Sequence, residues 1–235
     1  MALKILIYND NKMVGQCSYA VLDSYAVSLE RTFTFKVLEF SAGFTVNNIS
    51  ELSIEVYFTN CYNSRLLYSD FRLTLISHIG YLGSDLKVTG LPEFSTYPTN
   101  YNQNVVTIFN KWQTGDKVNW HELTIDEKED YLTACRIWSG LPQKLAPKTD
   151  KLNLENVYDS ITFSILFGET FLGQRGFFSI EYNVLHDCLI EIWNRNPESL
   201  KTQIILYNAA HIKDLDWFKD FLTLTLRYGI KIILQ

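Results

Sequence analysis

Gly173, Gln174, Arg175, Gly176, Phe177, Phe178, Ser179, Ile180, Glu181, Tyr182, Asn183, Val184, Leu185, His186, Asp187, Cys188 and Leu189 form the stretch on which the reading of this chain turns. Leu185, Cys188, Leu189 and Ile192 recur at spacings of three and four, which predicts a helix over Tyr182–Asn194 with one core-facing stripe. Asn183, Asp187 and Glu191 fall four apart on the side away from that stripe. By spacing alone, two acids on an exposed ridge are more often a solvated face than a site.

The flanks supply the layer on which such a helix rests. Leu152–Leu154, Thr202–Tyr207 and Ile230–Leu234 read as short strands, and Ser160–Leu172 and Leu215–Arg227 read as further helices. Strands separated by helices predict parallel pairing and an α/β layer. Gly229 is the expected left-handed stop after the last helix.

The aromatic pair Phe177 and Phe178, Leu185 and the triplet Asp187, Cys188 and Leu189 give this segment its likeness. From about Asp150 to Gln235 the chain resembles the barstar family of barnase inhibitors; nothing before it does. The resemblance implies a small parallel three-stranded sheet packed by helices. It also implies an immunity protein or antitoxin of a bacterial toxin–antitoxin pair, which blocks the active site of a cognate ribonuclease toxin domain. Asp187 is then the central anion, and Asn183 a neutral hydrogen-bonding stand-in where the family has aspartate. Glu191 supplies a second charge one turn on. Phe177 and Phe178 are read either as apolar contacts at the partner interface or as core residues covering the helix start. His186 lies at the edge of the ridge, with or without a task. Trp193 is read as half-buried packing. The chemistry is charge replacement: a ribonuclease surrounds the scissile phosphate with cations, and a fixed carboxylate can take that place. From Thr149 onward 8 basic residues face 11 acidic ones, a formal charge of −3 that favours encounter with a cationic partner.

Upstream the pattern changes to strands. Leu52, Ile54, Val56 and Phe58 alternate with polar neighbours, as do Phe33 with Phe35 and Phe71 with Leu73 and Leu75, so an antiparallel sheet with one wet face is expected. Ser95–Asn104 is polar and aperiodic and is read as a long loop with exposed tyrosines. Thr124 precedes Glu127 by three, a capping-box spacing that starts a helix running to about Trp138, with Gly140 as its stop. Pro142 and Pro147 follow, and the boundary between a β-rich α+β N-terminal domain and the α/β C-terminal domain is placed near Lys148.

Composition narrows the function classes. The 235 residues are 47% apolar and 20% charged, which excludes disordered and fibrous chains. Lys and Arg number 21 against 26 Asp and Glu, a formal charge of −5, and no basic run tracks a phosphate backbone, so no direct nucleic-acid binding is expected. No window is apolar for the eighteen or so residues a spanning helix needs, and Met1–Asp10 lacks a secretory core; a cytoplasmic protein without membrane association is expected. Cys17, Cys61, Cys135 and Cys188 are too scattered for a metal or disulfide framework and are expected reduced and buried. His78, His121, His186 and His211 are equally scattered, and no phosphate loop or hydrolase motif is present, so no enzyme, metal or cofactor is expected. Two other readings stay open. One is a two-domain ligand- or carbohydrate-binding module without inhibitor activity; the other is a hydrolase built on scattered carboxylates such as Asp187 with Glu191 or Asp216 with Asp220.

Overall fold

The computed structural model of the chain describes residues 3–23, 30–36, 39–40, 49–82, 84–95, 101–146 and 150–235. They divide into two compact units, Met1–Val118 and Asn119–Gln235.

The first unit is an eight-stranded antiparallel sheet with one helix. Its strands are β1 (Leu3–Asn9), β2 (Lys12–Cys17), β3 (Tyr19–Asp23), β4 (Arg31–Lys36), β5 (Glu39–Phe40), β6 (Glu51–Thr59), β7 (Arg65–Leu82) and β8 (Asp85–Phe94), in the order β3-β4-β8-β7-β6-β1-β2-β5. Period two decides the faces: Leu52, Ile54, Val56 and Phe58 of β6 are buried, while the residues between them are partly exposed. The helix α1 (Gln103–Thr114) packs against the buried face, with the Phe109 ring stacked on Phe58 at 3.8 Å. Its Gln103 covers the open edge of β3, where the side chain accepts from the Leu22 N–H at 2.7 Å and donates to the Ala20 carbonyl at 3.2 Å. An edge strand whose backbone groups are already bonded does not recruit foreign strands.

Two expectations change in this unit. The loop expected over Ser95–Asn104 gives way at Gln103 to α1, whose Val105, Val106, Ile108, Phe109 and Trp112 form a buried helical stripe. Tyr97 lies outside the described residues, and Tyr101 is buried rather than exposed, edge-on to Phe71 at 5.3 Å.

The second unit is the α/β layer. Its elements are α2 (Ile125–Ser139), β9 (Lys151–Asn153), α3 (Ser160–Phe171), α4 (Tyr182–Arg195), β10 (Gln203–Tyr207), α5 (Asp216–Arg227) and β11 (Lys231–Leu234). The three strands run parallel in the order β11-β10-β9, as the alternation of strands and helices requires. Thr124 and Glu127 form the reciprocal capping box at the start of α2, and Gly140 ends it at φ 65°. Gly229 stops α5 at φ 92°.

The break between units falls at Val118/Asn119, not near Lys148, which lies outside the described residues. Hydrogen bonds explain the difference. The Glu169 carboxylate of α3 accepts from Trp120 Nε1 at 3.0 Å and from the Tyr131 hydroxyl at 2.7 Å, and Lys128 Nζ donates to Thr162 Oγ1 at 3.1 Å. These bonds fix α2 to α3, so α2 belongs with the α/β layer that follows it.

Cys17, Cys135 and Cys188 are buried, but Cys61 is exposed, in the turn between β6 and β7. Burial pushes the Cys17 and Cys188 thiols up from 9.0 to about 12. A folded-state value raised this way contributes stability that is complete below pH 9 and disappears as pH climbs through 12. At pH 8 the native chain will therefore show one fast-reacting thiol toward an aromatic disulfide reagent, and Cys61→Ser will remove it. More than one fast thiol in the native wild type would contradict the burial of the other three.

Candidate functional site

The site is built where α3 hands over to α4. Asp159 caps α3, its carboxylate accepting from the Thr162 N–H and the Thr162 hydroxyl, both at 2.7 Å. Past α3 the chain turns through Gly173 at φ 96° and Arg175 at φ 61°, then runs back along the helix. Gly168 and Gly176 make that approach possible, because a Cβ on Gly168 would collide with the Gly176 carbonyl. Two hydroxyls pin the returning segment: the Ile180 N–H donates to Ser164 Oγ at 3.2 Å, and the Phe177 N–H donates to Ser139 Oγ, the last residue of α2, at 2.9 Å.

The segment then enters α4, whose Leu185, Cys188, Leu189 and Ile192 are all fully buried. That stripe fixes the rotation of the helix and sends Asn183, Asp187 and Glu191 outward. Asn183 and Asp187 are exposed, and neither side chain has a hydrogen bond or ion pair among the described residues. Glu191 differs: its Oε1 accepts from Arg195 Nε at 2.9 Å, so its charge is compensated within the helix. Asp187 is left as the unpaired anion of the ridge. His186 is half-buried, edge-on to Tyr228 at 5.9 Å, and Trp193 is half exposed, 6.1 Å from the same ring.

Phe177 and Phe178 are core residues, so of the two readings open from the sequence the structure places them in the core and not at an exposed contact surface. Phe178 is 0% exposed and stacks on Phe167 at 4.3 Å; Phe177 is 4% exposed. The backbone bonds from Phe177 to Ser139 and from Ile180 to Ser164 draw the lead-in down between α2 and α3, so both rings point inward.

Beside the first turn of α4 lies a groove of about 520 Å³. Glu129 and Arg136 of α2, Ser160 of α3, Glu181 and Val184 at the start of α4, and Trp217 of α5 are among its lining residues. Arg136 stands over the Phe177 ring, 5.8 Å from its centroid. Sequence reasoning missed Ser139, Arg136 and Glu129. They lie far upstream of the motif, and only the contact of α2 with α3 brings them to it.

The other carboxylate pair singled out by the sequence lies on α5. Asp216 and Asp220 are exposed on α5, with Asp216 Oδ1 3.8 Å from Lys219 Nζ. Among the described residues no group of three or more His, Cys, Asp and Glu side chains is placed to hold a metal ion. Three histidines have separate neighbours: His121 stacks on Trp120 at 3.7 Å, His211 Nε2 is 2.7 Å from the Val157 carbonyl oxygen, and His186 faces Tyr228. On the outer face of the first unit, Glu55 accepts from the Tyr8 and Tyr57 hydroxyls at 2.9 and 3.0 Å, a network already satisfied within the sheet. Among the described residues no helix is long and apolar enough to cross a membrane.

The chain matches no protein-family model, no curated protein and no solved structure.

Proposed function

We propose that the chain is a barstar-like immunity protein or antitoxin, which binds a cognate ribonuclease toxin in the cytoplasm and blocks its active site with the outer face of α4. One observation carries the reading: Asp187 is an exposed carboxylate without a partner among the described residues, on a helix whose opposite face is completely buried. The buried stripe fixes the helix backbone in advance of docking, and the short side chain it presents can accept charge-assisted hydrogen bonds from the arginines and lysines that otherwise hold RNA phosphate. Asn183, one turn earlier, adds a donor and an acceptor without a second charge. The order β9, α3, α4, β10, α5, β11 with three parallel strands supports the reading, being the arrangement the resemblance implies.

The test is direct. A ribonuclease domain encoded beside the gene of this chain is expressed in a catalytically inactivated form and titrated calorimetrically with the full-length protein. A one-to-one complex is expected, with association slowed by added salt because opposite charges steer the encounter. The active nuclease should lose RNA cleavage at equimolar inhibitor. Absence of any nuclease reading frame next to the gene, or no complex at micromolar concentrations, overturns the proposal.

A further inference from the structure

Resting on that reading of α4, we infer that the groove between α2 and the first turn of α4 receives a lysine or arginine side chain of the same ribonuclease. The groove opens beside Val184, three residues before Asp187 on the same helix, so a partner seated on the ridge passes over its mouth. Its volume, about 520 Å³, lies within the roughly 300–1,000 Å³ of pockets that hold small ligands. Phe177, Ile180, Val184 and Trp217 give it apolar walls that suit the methylene stem of a long cationic side chain.

Charge selects the occupant. Glu129 and Glu181 line the groove and are exposed, and neither carboxylate has a hydrogen bond or ion pair among the described residues. Among the described lining residues the one cation against these two acids is Arg136, which is already placed over the Phe177 ring. The surplus is negative, and Asp187 beyond it adds to the field, so the groove repels a carboxylate or phosphate and attracts an ammonium or guanidinium. The far wall is firm: α2 is held by the bonds of Tyr131 and Trp120 to Glu169 and of Ser139 to the Phe177 N–H. The inhibitor thereby grips its partner with two elements, the ridge of α4 and a helix that lies outside the barstar-resembling segment.

Blocked tripeptides probe the groove without the nuclease. Ac-Gly-Lys-Gly-NH2 and Ac-Gly-Arg-Gly-NH2 are titrated into the isotope-labelled full-length chain while the backbone amides of Thr133, Ile180, Glu181 and Val184 are followed. Saturable shifts are expected from both cationic peptides and not from Ac-Gly-Glu-Gly-NH2. The double variant Glu129→Gln with Glu181→Gln, at exposed positions, should raise the peptide Kd about tenfold or more. No saturable shift, unchanged binding by the double variant, or equal binding of the glutamate peptide overturns the inference. Nuclease titration separates it from the function beneath it. A complex lost in Asp187→Ala but untouched in the double variant removes the groove and keeps the docking ridge. A complex indifferent to Asp187 and weakened in the double variant removes the ridge and keeps the groove.

Discussion

Phe178→Ala will lower the unfolding free energy of the α/β unit by about 3–5 kcal/mol, the range for removing a fully buried aromatic ring. Phe178 is 0% exposed, stacks on Phe167 at 4.3 Å and meets Phe221 edge-on at 6.5 Å. Phe167 in turn contacts Phe171 at 4.5 Å and Phe221 at 5.5 Å, so the ring sits in a continuous aromatic cluster drawn from α3, α5 and the lead-in to α4. Alanine there leaves a cavity that the neighbours cannot fill, because Gly168 and Gly176 already hold the lead-in backbone against α3 at closest approach. Urea unfolding followed by tryptophan fluorescence reads the change as a lowered midpoint at constant slope. A loss below about 0.5 kcal/mol, the size of an ordinary surface substitution, would place the ring outside the core.

Asp187→Ala is the counterpart, large in binding and small in stability. The side chain is exposed and bonds to nothing among the described residues, so its removal should change the unfolding free energy by no more than about 0.5 kcal/mol. In the proposed complex the same carboxylate would be desolvated against a cationic site, and deleting one member of such a pair costs roughly 2–5 kcal/mol. That is a rise in Kd of about thirtyfold to several thousandfold, expected mainly in the dissociation rate. Glu191→Ala is the internal control. Its carboxylate is held by Arg195 at 2.9 Å, and the substitution should have a much smaller effect. Equal losses from Asp187→Ala and Glu191→Ala would mean that overall charge, and not one placed anion, governs recognition. An unchanged Kd in Asp187→Ala would remove the residue from the interface.

Much of the fold was legible where one period dominated. Leu52, Ile54, Val56 and Phe58 announced β6, Leu185, Cys188, Leu189 and Ile192 announced α4, and Thr124 with Glu127 announced the start of α2, because each is a local pattern with a local physical cause. The helix α1 was missed although its stripe has the right spacing. The polar run before it, ending at the N-cap Asn102, reads as loop, and the side chain of Asn102 in fact accepts from the Asn104 and Val105 N–H groups to begin the helix. The domain boundary was misplaced for a different reason. Prolines and polar residues mark a break in secondary structure, but which side of the break a helix packs against depends on Glu169 meeting Trp120 and Tyr131 across sequence separations of 49 and 38 residues.

The candidate site divides in the same way. By itself the sequence determined that Asp187 faces outward, since a helical period with one apolar stripe leaves no other direction for a residue on the opposite side. Only the tertiary structure decided that Phe177 and Phe178 are core, that Arg195 compensates Glu191 while Asp187 has no partner among the described residues, and that Glu129 and Arg136 of α2 stand beside the start of α4. Direction along a helix follows from bonds between near neighbours. Burial and partnership are settled by segments far apart in the chain, which meet only when packing closes around them.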